Sequence, residues 1–240
     1  MKKIRTFAIF FFDIIDQYFH QKRIIKFLKK IINISIFIDV GSHKGLYTDL
    51  ILNNYKVKEV MMFEPQKDVY KYIKKKYYKK KYIKIYNQAL SDKNKKKIFF
   101  INKHNLTSSL TRLNETNFYL KCKSKLFGSK DNNSLIQKTS FIKTVKLYEY
   151  LKNMKKKKVD LIKIDTEGHE LEVLMGLGKK IENIKSILIE FHRDKIYYNY
   201  HPKKIHGYLK KNNFTLIKIF KFPFTGWEDR IYVKKKRTNK

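Results

Sequence analysis

An aspartate and two glycines stand where a mostly apolar run of residues ends. The run covers residues 34–40 and contains Asp39; Gly41 and Gly45 follow it, and helical periodicity begins at residue 46. This order predicts a buried strand, a tight turn and a helix whose first N–H groups point into a crevice. Gly41 permits the turn and lets a ligand approach the backbone without meeting a Cβ atom. An ordinary strand–turn–helix unit with a packing glycine is the alternative interpretation.

The spacing of the glycines indicates which ligand the crevice takes. The pattern D-x-G-x-x-x-G lacks the middle glycine of the dinucleotide fingerprint, which lets a backbone press against a pyrophosphate. Asp39 would also repel a diphosphate, whereas its carboxylate can accept hydrogen bonds from an ammonium group. S-adenosylmethionine (SAM) has an α-amino group and no phosphate. The stretch therefore favours SAM as the cofactor.

An acidic residue follows the next apolar run. Residues 57–63 predict a second strand, and Glu64 and Pro65 come directly after it. In a doubly wound sheet, an acidic residue about 20 positions after the glycine loop binds the hydroxyls of a ribose. Pro65 stops the strand. The alternative is a solvated glutamate in a loop.

Strands and helices alternate along most of the chain. Further strands are predicted at 82–86, 97–101, 141–145, 159–164 and 186–192, with helices at 68–81, 147–152 and 202–212 and a helix after residue 170. The last two strands, 215–220 and 229–233, predict a closing antiparallel unit. This alternation is typical of an α/β fold with a mostly parallel twisted sheet and helices on both faces.

The chain divides into an N-terminal extension, residues 1–33, and one domain, residues 34–240, which carries an irregular insertion at 103–140. The extension predicts an amphipathic helix that is too short and too interrupted to span a bilayer. Packing on the domain is favoured over lying on a membrane. The chain carries a single cysteine, Cys122, which excludes an intramolecular disulfide and suits a reducing compartment. A cytoplasmic location is expected, with peripheral contact with an anionic membrane left open.

The chain is strongly basic, with 56 Lys+Arg against 21 Asp+Glu and a formal net charge of +35. Arginine, the residue that nucleic-acid binders use for bidentate contacts, occurs only six times. Lys, Ile, Asn, Tyr and Phe have A/T-rich codons, so the charge is explained in large part by genome composition. We therefore expect attraction to anionic surfaces but no specific nucleic-acid partner.

Six stretches, taken in order, resemble the FkbM family of SAM-dependent methyltransferases: residues 37–45, 63–65, 87–92, 108–110, 163–170 and 189–192. The resemblance covers roughly residues 35–220 and implies a class I, Rossmann-like methyltransferase fold. It also implies methyl transfer to oxygen, often on a sugar or natural-product hydroxyl. By the same resemblance, Asp39, Gly41 and Gly45 bind the methionine end, Glu64 the ribose, and residues 87–89 border the adenine. The full set of expected cofactor residues is Asp39, Gly41, Ser42, Gly45, Glu64, Pro65, Asn87, Gln88 and Ala89.

Methyl transfer to a hydroxyl needs an aligned acceptor and a base for its proton. Asp165 and Glu167 follow the predicted central strand, and His192, whose unperturbed pKa suits a base near neutral pH, ends the next one. Glu190 shares a strand face with His192. Two carboxylates that merely begin a helix, and a structural histidine, are the alternatives. Asp165, Glu167 and His192 could bind magnesium, but nothing in the sequence indicates it, and we predict no metal.

Three functions compete. The first is O-methylation of a small-molecule or glycan acceptor, which we favour; the second is nucleic-acid methylation, suggested by the lysines and aromatic residues. The third is a non-catalytic basic binding module with a SAM fold. His169 and Glu170 are expected on a helix surface without a role. The oligomeric state is not predicted.

Overall fold

The computed structural model describes residues 19–102, 108–114, 116–117, 136–154, 157–192, 196–222 and 226–235. Residues 1–18 of the expected extension, and most of 103–135 in the expected insertion, lie outside the described residues. The boundary between extension and domain stays a prediction.

Ten strands and six α-helices occupy the described chain. The strands are β1 Ile36–Val40, β2 Glu59–Phe63, β3 Ile83–Tyr86, β4 Ala89–Leu90, β5 Lys96–Asn102, β6 Ile136–Val145, β7 Leu161–Ile164, β8 Ser186–His192, β9 Phe214–Lys221 and β10 Trp227–Lys234. The helices are α1 Gln21–Ile31, α2 Leu46–Asn54, α3 Lys67–Lys76, α4 Tyr148–Leu151, α5 Glu170–Met175 and α6 Pro202–Lys211, and a 3-10 helix spans Gly178–Asn183.

Seven strands form the main sheet in the order β3-β2-β1-β7-β8-β10-β9. All neighbours are parallel except β10, which is antiparallel to both β8 and β9. The α/β fold with its antiparallel closing unit is therefore confirmed. The strand order reverses between β1 and β7, and ligands of open α/β sheets bind outside the carboxyl ends of the strands at such a reversal.

The core has two layers because successive residues of a buried strand point to opposite faces of the sheet. Phe37, Leu161 and Leu188 face the layer under α1, α2 and α3. Ile38, Ile162 and Ile189 face the layer under α4, α5 and α6. Both faces of the central strands are covered, which explains why those strands read as nearly continuous apolar runs.

Helix α1 packs on the first of these layers. Ile24, Ile25 and Leu28 are buried, and the residue before the helix, His20, places Nε2 2.8 Å from Asp229 Oδ2 at the start of β10. The described part of the extension thus packs on the domain. None of the helices that the structure describes is long and apolar enough to cross a bilayer.

A second sheet has the order β4-β6-β5, with β5 antiparallel to β6. Strand β6 begins at Ile136, so it extends into the region that the sequence predicted to be irregular. Lys138 and Thr139 are neighbours in this strand and both are exposed, which removes the alternation that would have indicated a strand.

Candidate active site

Asp39 is fully buried at the end of β1. Its Oδ2 accepts a 2.6 Å hydrogen bond from the Thr48 hydroxyl of α2. Its Oδ1 is buried and accepts no hydrogen bond from any residue in the described ranges. Burial raises the pKa of Asp39, and the nearby Lys163 ammonium only partly offsets this. A buried acceptor without a donor is costly, and the ammonium group of a ligand would satisfy it.

The two glycines of the loop are required by the protein's own chain. Gly41 has φ +77°, and a Cβ atom there would lie 1.8 Å from the carbonyl oxygen of Asp165. Gly45 has φ +73°, and a Cβ atom there would lie 2.6 Å from the Tyr77 hydroxyl, which donates to the Gly45 carbonyl at 2.8 Å. The sequence had explained Gly41 by the approach of a ligand. The structure adds that the end of β7 packs directly on it.

Glu64 ties the second strand to the glycine loop. It is 2% exposed, and its two carboxylate oxygens accept the backbone N–H groups of His43 at 2.9 Å and Gln66 at 2.7 Å. Burial raises the pKa of Glu64 to about 7, against the lowering effect of these hydrogen bonds. The Gln66 side chain also donates to this carboxylate. The ionised form keeps acceptor capacity for a ribose hydroxyl.

The other expected cofactor residues surround this acidic turn. The Asn87 side chain donates to the carbonyl oxygens of Glu64 and Pro65 at 2.9 and 3.0 Å, which joins the expected adenine loop to the turn. Gln88 Oε1 is buried and has no hydrogen-bond donor among the residues described, while Ala89 is buried at the start of β4. The Ser42 hydroxyl donates to the Phe63 carbonyl at 3.4 Å. The Asn87 and Ser42 side chains therefore hold the loops together, and the contact of all four residues with a cofactor stays a prediction.

The expected catalytic residues lie at the carboxyl ends of two adjacent strands. Asp165 follows β7, and the Lys163 ammonium donates to its Oδ2 at 2.8 Å. At the end of β8, His192 Nε2 lies 3.2 Å from Glu190 Oε2. One polar atom each from Glu167, Glu190 and His192 lies within 4.8 Å of the others. Asp165 also interacts with Glu190 and His192. The structure thus brings together the predicted residues Asp165, Glu167 and His192, with Glu190 and Lys163 beside them.

Asp165 and Glu190 differ in their protonation because their pKa values are shifted in opposite directions. Burial raises the pKa of Asp165, but the Lys163 ammonium outweighs it, so the pKa is lowered overall. Glu190 has no such help: burial, followed by the carboxylates of Asp165 and Glu167, raises its pKa well above the ordinary value. Asp165 is therefore ionised at neutral pH, whereas Glu190 tends to hold a proton.

Tyr197 is a member of the cluster that sequence reasoning missed. Its hydroxyl donates to Glu167, and its ring centre lies 4.9 Å from that of His192. A Cβ atom on Gly168, which has φ +91°, would lie 2.6 Å from the Tyr197 ring. Glu167 itself has φ +56°, an uncommon conformation for a residue with a long side chain. The only sequence signal was the glycine after Glu167, which allows the tyrosine to pack there.

The expectation that His169 and Glu170 lie on a helix surface is wrong. Glu170 is fully buried, and its Oε1 accepts the backbone N–H groups of Thr166 at 3.0 Å and Gly168 at 3.1 Å. Burial lowers the pKa of His169 to about 3, so it is neutral, and its Nε2 lies 3.0 Å from the Ser91 hydroxyl. Both residues hold the loop that follows β7, because helix α5 turns its first residues inward.

Glu167, Glu190 and His192 have a spacing that could surround a cation. These groups already contact each other and Tyr197. We assign no metal ligand here, and the absence of a metal stays a prediction.

Comparison with known proteins identifies the family. The model of the Methyltransferase FkbM domain matches residues 39–216, which is most of the chain. This protein belongs to the FkbM methyltransferase family. The structure of FkbM from Methylobacillus flagellatus KT superposes with a TM-score of 0.50 at 12% identity, covering 83% of this chain and 43% of that one. Class I methyltransferase architecture is therefore confirmed.

Two other proteins resemble a segment of this chain or its fold. The hexuronic acid methyltransferase AglP of Haloferax volcanii is 35% identical over 51 residues, which is 21% of this chain and 21% of AglP. The chain thus matches about a fifth of that relative's length. M. capricolum TrmK, whose structure contains S-adenosyl-homocysteine, has a TM-score of 0.48 at 12% identity, with 88% of this chain and 68% of that chain covered.

SAM is the cofactor of this FkbM methyltransferase, and the residues present fit it. Asp39 Oδ1 is a buried acceptor that needs a donor. Glu64 has acceptor capacity at the end of β2, where the ribose of a nucleoside lies in doubly wound folds. In this family member, the glycine loop joins these two carboxylates: its His43 N–H group bonds to Glu64.

Proposed function

We propose that this protein transfers the methyl group of SAM to a hydroxyl oxygen of a saccharide or glycolipid. One observation carries the proposal: groups that can take a proton cluster directly beside the cofactor loop. The backbone of Asp165 packs on Gly41, and Glu167 and His192 lie close to Glu190. An acceptor hydroxyl above the glycine loop would therefore meet a base and an orienting carboxylate at once.

The chemistry assigns separate work to each residue. SAM supplies an electrophilic methyl group whose bond to sulfur breaks, with its electron pair left on sulfur, as the new carbon–oxygen bond forms. The hydroxyl proton must leave at the same time, and His192 accepts it. Glu167, which has a carboxylate oxygen within 4.8 Å of a His192 ring nitrogen, stabilises the charge of the imidazolium. Glu190, 3.2 Å from His192 Nε2, lies beside the ring. Asp165, ionised beside Lys163, accepts a hydrogen bond from the acceptor and aligns its oxygen.

The sign of the local charge supports a neutral acceptor group. The chain as a whole carries +35, yet the carboxylates of Asp165 and Glu167 gather around Glu190 at the ends of β7 and β8. A phosphate brought to this point would be repelled. The partial relative named hexuronic acid methyltransferase supports a saccharide acceptor. If the sugar carries a carboxylate, that group must point away from the cluster.

Nucleic-acid methylation is the second candidate, and the net charge is what favours it. Lysines spread over the surface would attract any polyanion, with a strong dependence on salt and no preference for sequence. Such attraction does not bring a base to the site.

A screen for methyl transfer separates the two candidates. The purified protein is incubated with SAM labelled in its methyl group and with cell-extract fractions enriched in glycan, lipid or nucleic acid. We expect label in the glycan or lipid fraction, and none when His192→Ala replaces the wild type. Label confined to nuclease-sensitive material would contradict the proposal and establish the second candidate.

A further inference from the structure

Lys163 is a charged residue in the middle of the central strand β7, where its neighbours are apolar. It is 8% exposed, and of the lysines that the structure describes it alone is buried. Parallel pairing places it opposite Asp39 in β1. Its ammonium donates to Asp165 Oδ2 at 2.8 Å and lies 5.4 Å from the centre of the Tyr47 ring. A lysine is buried in this way only when its charge is compensated.

Two carboxylates provide that compensation. Burial alone would lower the pKa of Lys163, but Asp165 and then Asp39 raise it above the ordinary value. In return, Lys163 lowers the pKa of both carboxyl groups, which decides the sign for Asp165 but not for the more deeply buried Asp39. The ammonium is thus shared between two acids.

Asp39 lies on the cofactor side of the site, and Asp165 lies on the acceptor side. Asp39 ends β1 beside the glycine loop and has an oxygen available for the cofactor. Asp165 ends β7 beside Glu190 and the expected acceptor position. Since β1 and β7 are paired neighbours, one side chain between them can reach both carboxylates.

We propose that Lys163 is a positioning residue for methyl transfer, whose ammonium is the shared counterion of Asp39 on the cofactor side and Asp165 on the acceptor side. The inference rests on the proposed function for the acceptor side only. It predicts that replacing this lysine disturbs cofactor binding and the acceptor-side carboxylate together, although Lys163 touches neither substrate.

Among the residues that the structure describes, several charged groups affect the titration of Asp165 and Lys163. Asp39 from β1, Asp165 after β7, Asp229 from β10 and the Tyr47 ring from α2 face the ammonium. Glu190 and His192 from β8 face Asp165 in turn. Loss of the ammonium removes the group that most favours the charged form of Asp165, so its carboxyl group should protonate at higher pH.

The test compares three variants of the full chain: Lys163→Met, Lys163→Arg and the matched control Lys185→Met. Lys185 forms a similar pair, 2.6 Å from Asp160 Oδ1, at the opposite end of β7. Calorimetry measures SAM affinity between about pH 5.5 and 8.5, roughly the range in which buried carboxyl groups with raised pKa values titrate. Carbon-13 NMR of the side-chain carboxyl groups, assigned with Asp165→Asn, follows the titration of Asp165.

We expect Lys163→Met to weaken SAM binding by about tenfold or more and to move the Asp165 titration upward by about 1–3 pH units. Lys163→Arg should restore part of both effects, and Lys185→Met should change neither. A folded Lys163→Met protein with the wild-type SAM affinity and the wild-type Asp165 titration would overturn the proposal. Neither measurement needs an acceptor, so a failure to find a glycan substrate would be seen separately.

Folding failure is also decisive. If Lys163→Met does not fold, Lys163→Met/Asp165→Asn removes both partners of the closest pair and is compared with Asp165→Asn alone. Weaker SAM binding in the double variant supports the link to Asp39, and equal binding refutes it. If neither the double variant nor Lys163→Arg folds, the lysine is a folding residue and the proposal is wrong.

Discussion

The ionisation of Glu64 should make SAM affinity depend on pH within the physiological range. Each carboxylate oxygen already accepts one backbone N–H group, from His43 or Gln66. The ribose therefore needs the remaining acceptor capacity, which is greatest in the ionised form. Because the pKa of Glu64 is raised to about 7, lowering the pH protonates the group and removes acceptor capacity.

The size of the effect follows from that value. With a pKa of about 7, roughly nine tenths of the carboxyl groups are ionised at about pH 8 and one tenth at about pH 6. SAM affinity should therefore fall by about tenfold over this range. Glu64→Gln cannot titrate, so its affinity should be lower and constant. Glu64→Ala should lose about 1.5–3 kcal/mol, the range for hydrogen bonds to a charged group.

Calorimetric titration with SAM at several pH values is the assay. Glu59→Gln is the matched control, since Glu59 begins the same strand at the opposite edge of the sheet and pairs with exposed lysines there. Its profile should follow the wild type. Equal affinity of the wild type at the two pH values would refute the assigned ionisation. Unchanged affinity in a folded Glu64→Gln protein would remove Glu64 from the cofactor site.

Three further outcomes are expected. Gly41→Ala should abolish SAM binding and lower the melting temperature, because its Cβ would lie 1.8 Å from the Asp165 carbonyl oxygen. The control Gly207→Ala meets no atom within 4 Å and lies inside helix α6, so SAM binding should be unchanged and the melting temperature unchanged or slightly raised. Turnover of an identified acceptor should fall by about 10²–10⁴-fold, with SAM affinity nearly unchanged, in each of Asp165→Asn, Glu167→Gln and His192→Ala; full activity in all three would mean that catalysis lies elsewhere. Burial raises the pKa of Glu170 in the folded state to about 7, so the folded state binds a proton that the unfolded state has released. Glu170 should therefore lower the free energy of unfolding by up to about 3 kcal/mol as the pH rises from about 4.5 to about 7. Denaturant titrations should show a smaller decrease in Glu170→Gln.

The strand-and-turn framework was predictable because its signals are local. An apolar run that ends in Asp39 and Gly41, and another that ends in Glu64, describe buried strands followed by polar turns within a few residues. The same holds for Asp165 and His192, which follow or end such runs. The structure places all of these at the carboxyl edge of one sheet, as parallel strands require.

The burial of polar residues was harder to predict from the sequence. Glu170 reads as the first acid of a helix, and His169 as its polar neighbour, so both were expected at the surface. Their burial depends on the Ser91 hydroxyl, 78 residues away along the chain, and on N–H groups that the loop turns inward. No local pattern contains that information. Likewise, the sequence predicted only the second half of β6, because the exposed residues Lys138 and Thr139 show no alternation and are held in the strand by pairing with β5.

By itself the sequence determined the family, the cofactor and the edge of the sheet at which the expected catalytic residues gather, because these residues directly follow or end the apolar runs that form the strands. Only the tertiary structure decided which groups pair. Lys163 looks like one lysine among many until the pairing of β1 with β7 places it between Asp39 and Asp165. Tyr197 reaches Glu167 across 30 positions because Gly168 leaves room for its ring. Charge compensation and close packing act between elements that are distant in the chain, and so they appear only after folding.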